Sequence, residues 1–247
     1  KQLEKAWKDT DNQRSVIHAV RHGTYIEFKS DPGAELIIKS LEDLKSKRIR
    51  LLNVRTETNQ TVDETGETKE TATTYATVFV ADDKRNHFLK KIEEYIKKDT
   101  KAGKPTNAKL INSIAEIRRA LAIESFWQDD KSLIPKDAPE WCEVWLSNDS
   151  QEALDRFEKL LTQLQLQAKS GVIRFPERAV KLVLASRLDL EQLSAQSDDI
   201  AEYRSAKTTA CFWTELQNKE QVNWVKDLLE RTSFEKASNI SICILDT

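Results

Sequence analysis

The chain is poor in several residue types, and each shortage excludes a class of protein. Its 247 residues include no methionine, five glycines and five prolines. So little glycine and proline excludes collagen-like and low-complexity sequence. No run of about 18 apolar residues occurs, which excludes a membrane-spanning helix. The start, Lys1-Gln2-Leu3, is not an apolar signal segment.

Charge of neither sign dominates the sequence. There are 39 basic and 41 acidic side chains, so the formal net charge is −2. A balance this close to neutral gives no reason to expect nucleic acid or an anionic membrane as a partner. Charged residues make up 32% and hydrophobic residues 39% of the chain, which predicts a strongly solvated surface over a modest core.

Cysteine is also scarce. Cys142, Cys211 and Cys243 are widely spaced among apolar residues, without a CxxC pair or a Cys/His cluster. This spacing argues against zinc, and we expect neither a metal nor a cofactor. Free buried thiols are typical of a reducing compartment, so a cytoplasmic location is expected.

In the first half of the chain, apolar residues follow strand and helix periods in turn. After a helix-prone start, three segments have strand patterns: 24–28, 49–54 and 75–80. Two segments have helical patterns: 34–44 and 84–97. The stretch 56–74 is rich in Thr and Glu, which predicts a long connection between two strands. The resulting order is β-α-β-β-α.

The second half repeats this order after a predicted helix over 108–126. Three segments have strand patterns: 141–146, 172–175 and 180–185. Four have helical patterns: 151–164, 188–195, 200–206 and 219–231. The apolar end, Ile240–Thr247, predicts a buried strand of a parallel α/β sheet, and we expect the chain to be a piece of a longer protein.

The predicted fold class is α+β, with two ferredoxin-like modules. Five regions are expected: a helical segment (1–22), a first module (23–100), a linker helix (101–139), a second module (140–197), and a connector with the first strand of a further α/β domain (198–247).

Several stretches carry a resemblance to a known family: Gly23–Phe28 with Pro32-Gly33, Ala76–Val80, Lys109–Ile114, Arg174–Arg178 and Ile242–Thr247. In this order they resemble the N-terminal part of bacterial subtilisin-like serine peptidases of family S8, which carry a long extension before the protease domain. The likeness runs from about Thr24 to the end of the chain.

The resemblance implies a function for the last residues. In the family, an Asp-Thr/Ser-Gly motif supplies the aspartate of the catalytic triad, and Asp246 matches that aspartate. The family's His and Ser motifs are absent from this sequence, so these residues alone should not hydrolyse peptides. The resemblance implies a regulatory or prosegment-like region whose partners are the remainder of the protease domain, a protein substrate and, in some members, a AAA-type ATPase.

Three other interpretations stay open. Tandem ferredoxin-like units could form a non-catalytic protein- or peptide-binding module, with Trp141 and Trp145 on one strand face as either core residues or a binding platform. Asp246-Thr247 could instead begin an aspartic protease motif or a haloacid-dehalogenase-type phosphatase motif. His18, His22 and His87 lie in no nucleophile motif, and we interpret them as ordinary surface or helix-end residues.

Overall fold

Helices and two antiparallel sheets build the described part of the chain, which comprises residues 1–17, 22–62, 68–120, 123–207 and 217–232 of this computed structural model. The chain divides into two compact units, Lys1–Ala206 and Lys207–Thr247. Both sheets belong to the first unit, and the helix Asn218–Arg231 belongs to the second. The predicted α+β fold class is confirmed. The strand predicted over Ile240–Thr247 lies outside the described residues.

The first sheet has four strands: β1 (Gly23–Lys29), β2 (Ile49–Val62), β3 (Thr68–Ala81) and β4 (Glu116–Arg119). Their order is β2-β3-β1-β4, and all neighbours are antiparallel. This is the strand order of a split β-α-β, ferredoxin-like sheet. The two central strands, β1 and β3, carry most of the buried side chains.

Strands β2 and β3 extend well beyond the rest of this sheet as a two-stranded arm. Their pairing continues from Thr56 opposite Thr74 to Val62 opposite Thr68, whereas β1 ends opposite Tyr75. The prediction of a long connection over 56–74 is therefore wrong. Threonine is β-branched and favours extended backbone, but the arm is polar on both faces and lacks the alternating apolar signal of a half-buried strand.

Three helices, α1 (Gln2–Ile17), α2 (Asn86–Lys97) and α3 (Ala108–Ile111), contribute to the core on one face of the first sheet. The shared core contains Leu3 and Trp7 of α1, Phe88 of α2 and Leu110 of α3. Phe28 of β1 meets Phe88 at a ring-centroid distance of 5.0 Å. An apolar stripe on each helix thus closes this side of the sheet.

The helix predicted over 34–44 is wrong, since that segment contains only the single 3-10 turn Ile38–Ser40. Leu36 and Leu41 are nevertheless buried. The backbone N–H of Ile37 donates to the Ser113 hydroxyl at 3.2 Å, so a side chain takes the place of a helical acceptor. The apolar spacing therefore predicted which residues are buried, but it did not predict the backbone conformation.

The second sheet repeats the architecture. Its strands are β5 (Glu140–Leu146), β6 (Gln167–Ala168), β7 (Ile173–Phe175), β8 (Arg178–Ala185) and β9 (Ile200–Ser205). The order is β6-β8-β5-β9, with β7 also paired to β8. Helices α4 (Gln151–Gln163) and α5 (Arg187–Gln196) start at serine caps, Ser150 and Ser186, whose side chains accept from backbone N–H groups.

Two further helix predictions are wrong. The segment 108–126 is helical only at α3, and its residues Glu116–Arg119 form β4 against β1. The segment 200–206 forms β9 against β5. The first four residues of β9 are all buried, so no period-2 pattern distinguishes it from a helix. The helix predicted over 219–231 is present and is named α6 (Asn218–Arg231).

Within the first unit, the face of the first sheet opposite α1 packs against the turn at Phe126 and against strand β9 of the second sheet. Tyr25 and Phe79 share one buried cluster with Phe126 and Tyr203. The Tyr25 ring meets that of Phe126 edge-on, at a centroid distance of 5.1 Å. Both faces of the first sheet are thus covered. No helix in the described ranges is long and apolar enough to cross a membrane.

Candidate functional site

The predicted catalytic residue, Asp246, lies outside the described residues, as do His18, Cys211 and Cys243. Its assignment therefore stays a prediction. The predicted site residue and the three histidines are not brought together by any described contact. The described ranges contain no group of three or more His, Cys, Asp or Glu side chains that could hold a metal ion.

The other candidate residues have structural surroundings. His87 lies in the first turn of α2 and meets the Phe88 ring edge-on. Burial, with help from nearby Lys91, lowers the pKa of His87. The backbone N–H of His22 donates to Asp198 at 2.6 Å. Burial raises the pKa of the Cys142 thiol to about 12, so this residue is a core thiol rather than a nucleophile.

Polar groups join the two sheets at their junction. The Tyr25 hydroxyl donates to the carbonyl oxygen of Ser197 at 2.7 Å. The side-chain amide of Asn53 donates to the carbonyl oxygen of Ala201 at 2.8 Å. All of these groups are buried, so each bond satisfies a backbone acceptor that water cannot reach. The junction therefore combines apolar packing with hydrogen bonds that fix how the two sheets are placed against each other.

A cavity of about 200 Å³ opens at this junction. One wall comes from residues 42–51 of the first sheet and the turn before it, and the other comes from residues 147–149 and 177–178 of the second. Its lining includes two arginines, Arg50 and Arg178, and Ser147. The Ser147 side chain is only 6% exposed, and its hydroxyl has no hydrogen-bond partner.

The two arginines bind backbone groups across the junction. Arg50 donates to the carbonyl oxygen of Asp198 at 2.6 Å and lies over the Phe79 ring at 4.2 Å. Arg178 donates to the carbonyl oxygen of Leu52 at 3.1 Å. The Nε of Arg50 is buried without a partner. Burial lowers the pKa of Arg178, Glu202 and Glu177 oppose that shift, and the Arg50 charge adds to it.

A second candidate surface is the outer face of the second sheet. Trp141 and Trp145 point to the side away from the buried Cys142, Val144 and Leu146 and are half-buried. The Trp145 ring stacks on Phe175 at a centroid distance of 5.4 Å, and Phe175 is 44% exposed. Trp145 also packs against the buried cluster of the first unit, so for this residue both interpretations, core residue and binding platform, stay open.

Sequence reasoning missed Arg50, Ser147 and Arg178. Arg178 ends the resemblance stretch Arg174–Arg178, but nothing there marks a binding site, and the three residues meet only because the two modules pack together. No signal in the sequence alone identifies them.

No family model matches the chain, and no curated protein matches it.

Proposed function

We propose that the chain is the regulatory N-terminal region of a cytoplasmic subtilisin-like serine endopeptidase. In the complete protein Asp246 would orient the triad histidine, and the described modules would be non-catalytic. The proposal rests on the ordered resemblance stretches. Four of them fall on β1, β3, α3 and the β7–β8 hairpin, and the fifth, Ile242–Thr247, lies outside the described residues. The remainder of the protease domain, a protein substrate and a AAA-type ATPase are the partners that it includes.

One observation carries the regulatory role. The two modules share one strand order and are locked into a single unit by buried hydrogen bonds from Tyr25 and Asn53. A preorganised body loses little entropy when it docks on a neighbouring domain. This supports a region that acts on a protease domain as one piece, by inhibiting it, assisting its folding or presenting a substrate.

The test uses a fluorophosphonate probe, which labels activated serines, on the complete protein. Labelling of wild type should be strong and should fall sharply in Asp246→Ala, because the triad histidine loses its orienting carboxylate. Asp137→Ala is the matched control, since Asp137 is exposed and should leave labelling unchanged.

Two outcomes would contradict this proposal. Equal labelling of wild type and Asp246→Ala would remove Asp246 from the triad. A wild-type protein that the probe never labels, either intact or after removal of residues 1–206, would remove the protease itself.

A second candidate is a non-catalytic protein- or peptide-binding module. The observation that favours it is the half-open aromatic face, where Phe175 stacks on Trp145 and the guanidinium of Arg204 lies over Trp145 at 4.7 Å. Aromatic and arginine side chains dominate the energetics of protein interfaces. Under this reading, Phe175→Ala would weaken partner capture in crosslinking experiments on a protein with no fluorophosphonate labelling, whereas Leu188→Ala, an exposed apolar residue on α5, would not.

A further inference from the structure

The cavity at the sheet junction brings together unusual polar groups. Arg50 and Arg178 both line it, and neither guanidinium makes an ion pair with a carboxylate of the described residues. Their known partners are backbone carbonyl oxygens, which leave donor capacity unused. An arginine has five N–H donors, and two of them match the oxygens of one carboxylate or phosphate.

Ser147 adds an independent observation. Its hydroxyl is buried and has no partner, although buried polar groups are nearly always hydrogen-bonded. The Nε of Arg50 is likewise buried and has no hydrogen-bond partner. Arg50 and Ser147 line opposite walls of the cavity, and a ligand between them would supply an acceptor for each unpaired donor.

We infer that this cavity binds a compact oxyanion group, a phosphate or a carboxylate, between Arg50 and Arg178 with Ser147 as a third donor. Its volume of about 200 Å³ lies below the range of about 300–1,000 Å³ that is usual for drug-sized ligands. The ligand is therefore small. The inference is independent of the proposed function, because it is measured as binding and not as proteolysis.

Four carboxylates at the same cavity limit the ligand further: Glu42, Asp43, Asp149 and Glu177. Two of them are already engaged. Glu177 pairs with Lys47 at 2.9 Å, and Asp43 accepts from the Ser46 hydroxyl at 2.7 Å. Glu42 and Asp149 oppose an extended polyanion by like-charge repulsion. The ligand should therefore carry its oxyanion at one end and hydrogen-bond donors, hydroxyl or ammonium, at the other.

The test is a titration of the 247-residue chain, followed by amide NMR shifts, with inorganic phosphate, acetate and chloride at matched ionic strength. Phosphate or acetate should shift the amides of residues 147–149 and 177–178 saturably, with a dissociation constant of about 1 mM. Saturation by phosphate alone identifies a phosphate group, and saturation by acetate identifies a carboxylate. Shifts that equal those with chloride for both probes overturn the inference.

Variants separate the site from general electrostatics. Ser147→Ala should weaken binding about tenfold, because it removes one donor to a charged acceptor. It should leave thermal stability unchanged or raised, since the hydroxyl has no partner to lose. Arg50→Gln should abolish saturation, whereas Lys101→Gln removes the same charge from an exposed loop and should change nothing. If Arg50→Gln fails to fold, Ser147→Ala decides, and wild-type affinity in that variant overturns the site.

Discussion

The hydroxyl of Tyr25 donates a hydrogen bond of 2.7 Å to the carbonyl oxygen of Ser197, which lies 172 residues further along the chain. The Tyr25 hydroxyl oxygen in turn accepts a hydrogen bond of 3.1 Å from the backbone N–H of Ile200. Tyr25 belongs to the first sheet, and Ile200 begins the last strand of the second. One phenol therefore fixes the start of β9 against β1.

Removal of this hydroxyl should destabilise the first unit. Tyr25→Phe leaves the Ser197 carbonyl and the Ile200 N–H buried without a partner, which should cost about 1–3 kcal/mol of the free energy of unfolding. Equilibrium urea unfolding measures it. Tyr95→Phe is the control, because the Tyr95 hydroxyl bonds the exposed Asn112 side chain at 2.9 Å. Equal costs for the two variants would show that the junction bond is not special.

Substitution of Glu27 should reduce the free energy of unfolding more than substitution of Tyr25. Glu27 is fully buried in β1, and its carboxylate accepts from Arg55 at 2.6 Å and from Arg118 at 2.5 Å. Glu27→Gln removes the nearer of two carboxylates that face the nearly buried Arg55, since the other, Glu57, lies 3.7 Å away, and the loss should cost about 3 kcal/mol. Glu93→Gln removes an exposed helical pair with Lys97 and should leave the free energy of unfolding essentially unchanged, because solvent screens such pairs. A cost for Glu27→Gln as small as the control's would contradict this account of the buried pair.

Two glycines provide a matched pair of packing variants. A Cβ at Gly23 would overlap a ring carbon of Phe79 and lie 2.9 Å from the carbonyl oxygen of Val80. Gly23→Ala should therefore destabilise by about 1–3 kcal/mol through overpacking. Gly171 has no atom within 4 Å of such a Cβ, and Gly171→Ala should stay within about 0.5 kcal/mol of wild type. Thermal melts of both variants compare them, and a neutral Gly23→Ala would disprove the close approach.

The buried thiol of Cys142 should make the stability of the protein depend on pH in the alkaline range. Burial raises the pKa of Cys142 in the folded state to about 12, whereas the pKa of an unfolded thiol is about 8.5. Between these values the unfolded state loses its proton and the folded state keeps it, so stability is lost as pH rises from about 8.5. Cys142→Ala should flatten the decline in melting temperature between about pH 8.5 and 11.

The same burial protects the Cys142 thiol from reagents. Iodoacetamide should leave it unmodified in the native protein and modify it after unfolding in guanidinium chloride. Peptide-level mass spectrometry distinguishes it from Cys211 and Cys243. Rapid native modification would show that the thiol is reachable.

Much of the fold could be predicted where one face of an element is apolar. The strand predicted over 141–146 is present as Glu140–Leu146, and the helix predicted over 151–164 is present as Gln151–Gln163. Both have a clean buried side, so local periodicity was sufficient. Prediction failed for elements whose conformation depends on distant partners. β4 is short and is a strand because Ile117 pairs with Phe28, and the Thr-rich arm carries no apolar period.

The candidate site was beyond sequence reasoning for a different reason. Arg50 and Ser147 belong to different modules, and their proximity follows from how the modules pack. Neither residue type is unusual at its own position. The arginines and the orphaned hydroxyl become informative only once burial and partners are known.

The bond between Tyr25 and the start of β9 also sets an order of events during synthesis. The first sheet has all four strands once Arg119 has left the ribosome, yet Ser197 and Ala201, whose carbonyl oxygens accept from Tyr25 and Asn53, are synthesised only later. Until then the face that carries them is open to other nascent chains. This interval, between completion of one sheet and arrival of its cover, is when chaperones have most to protect.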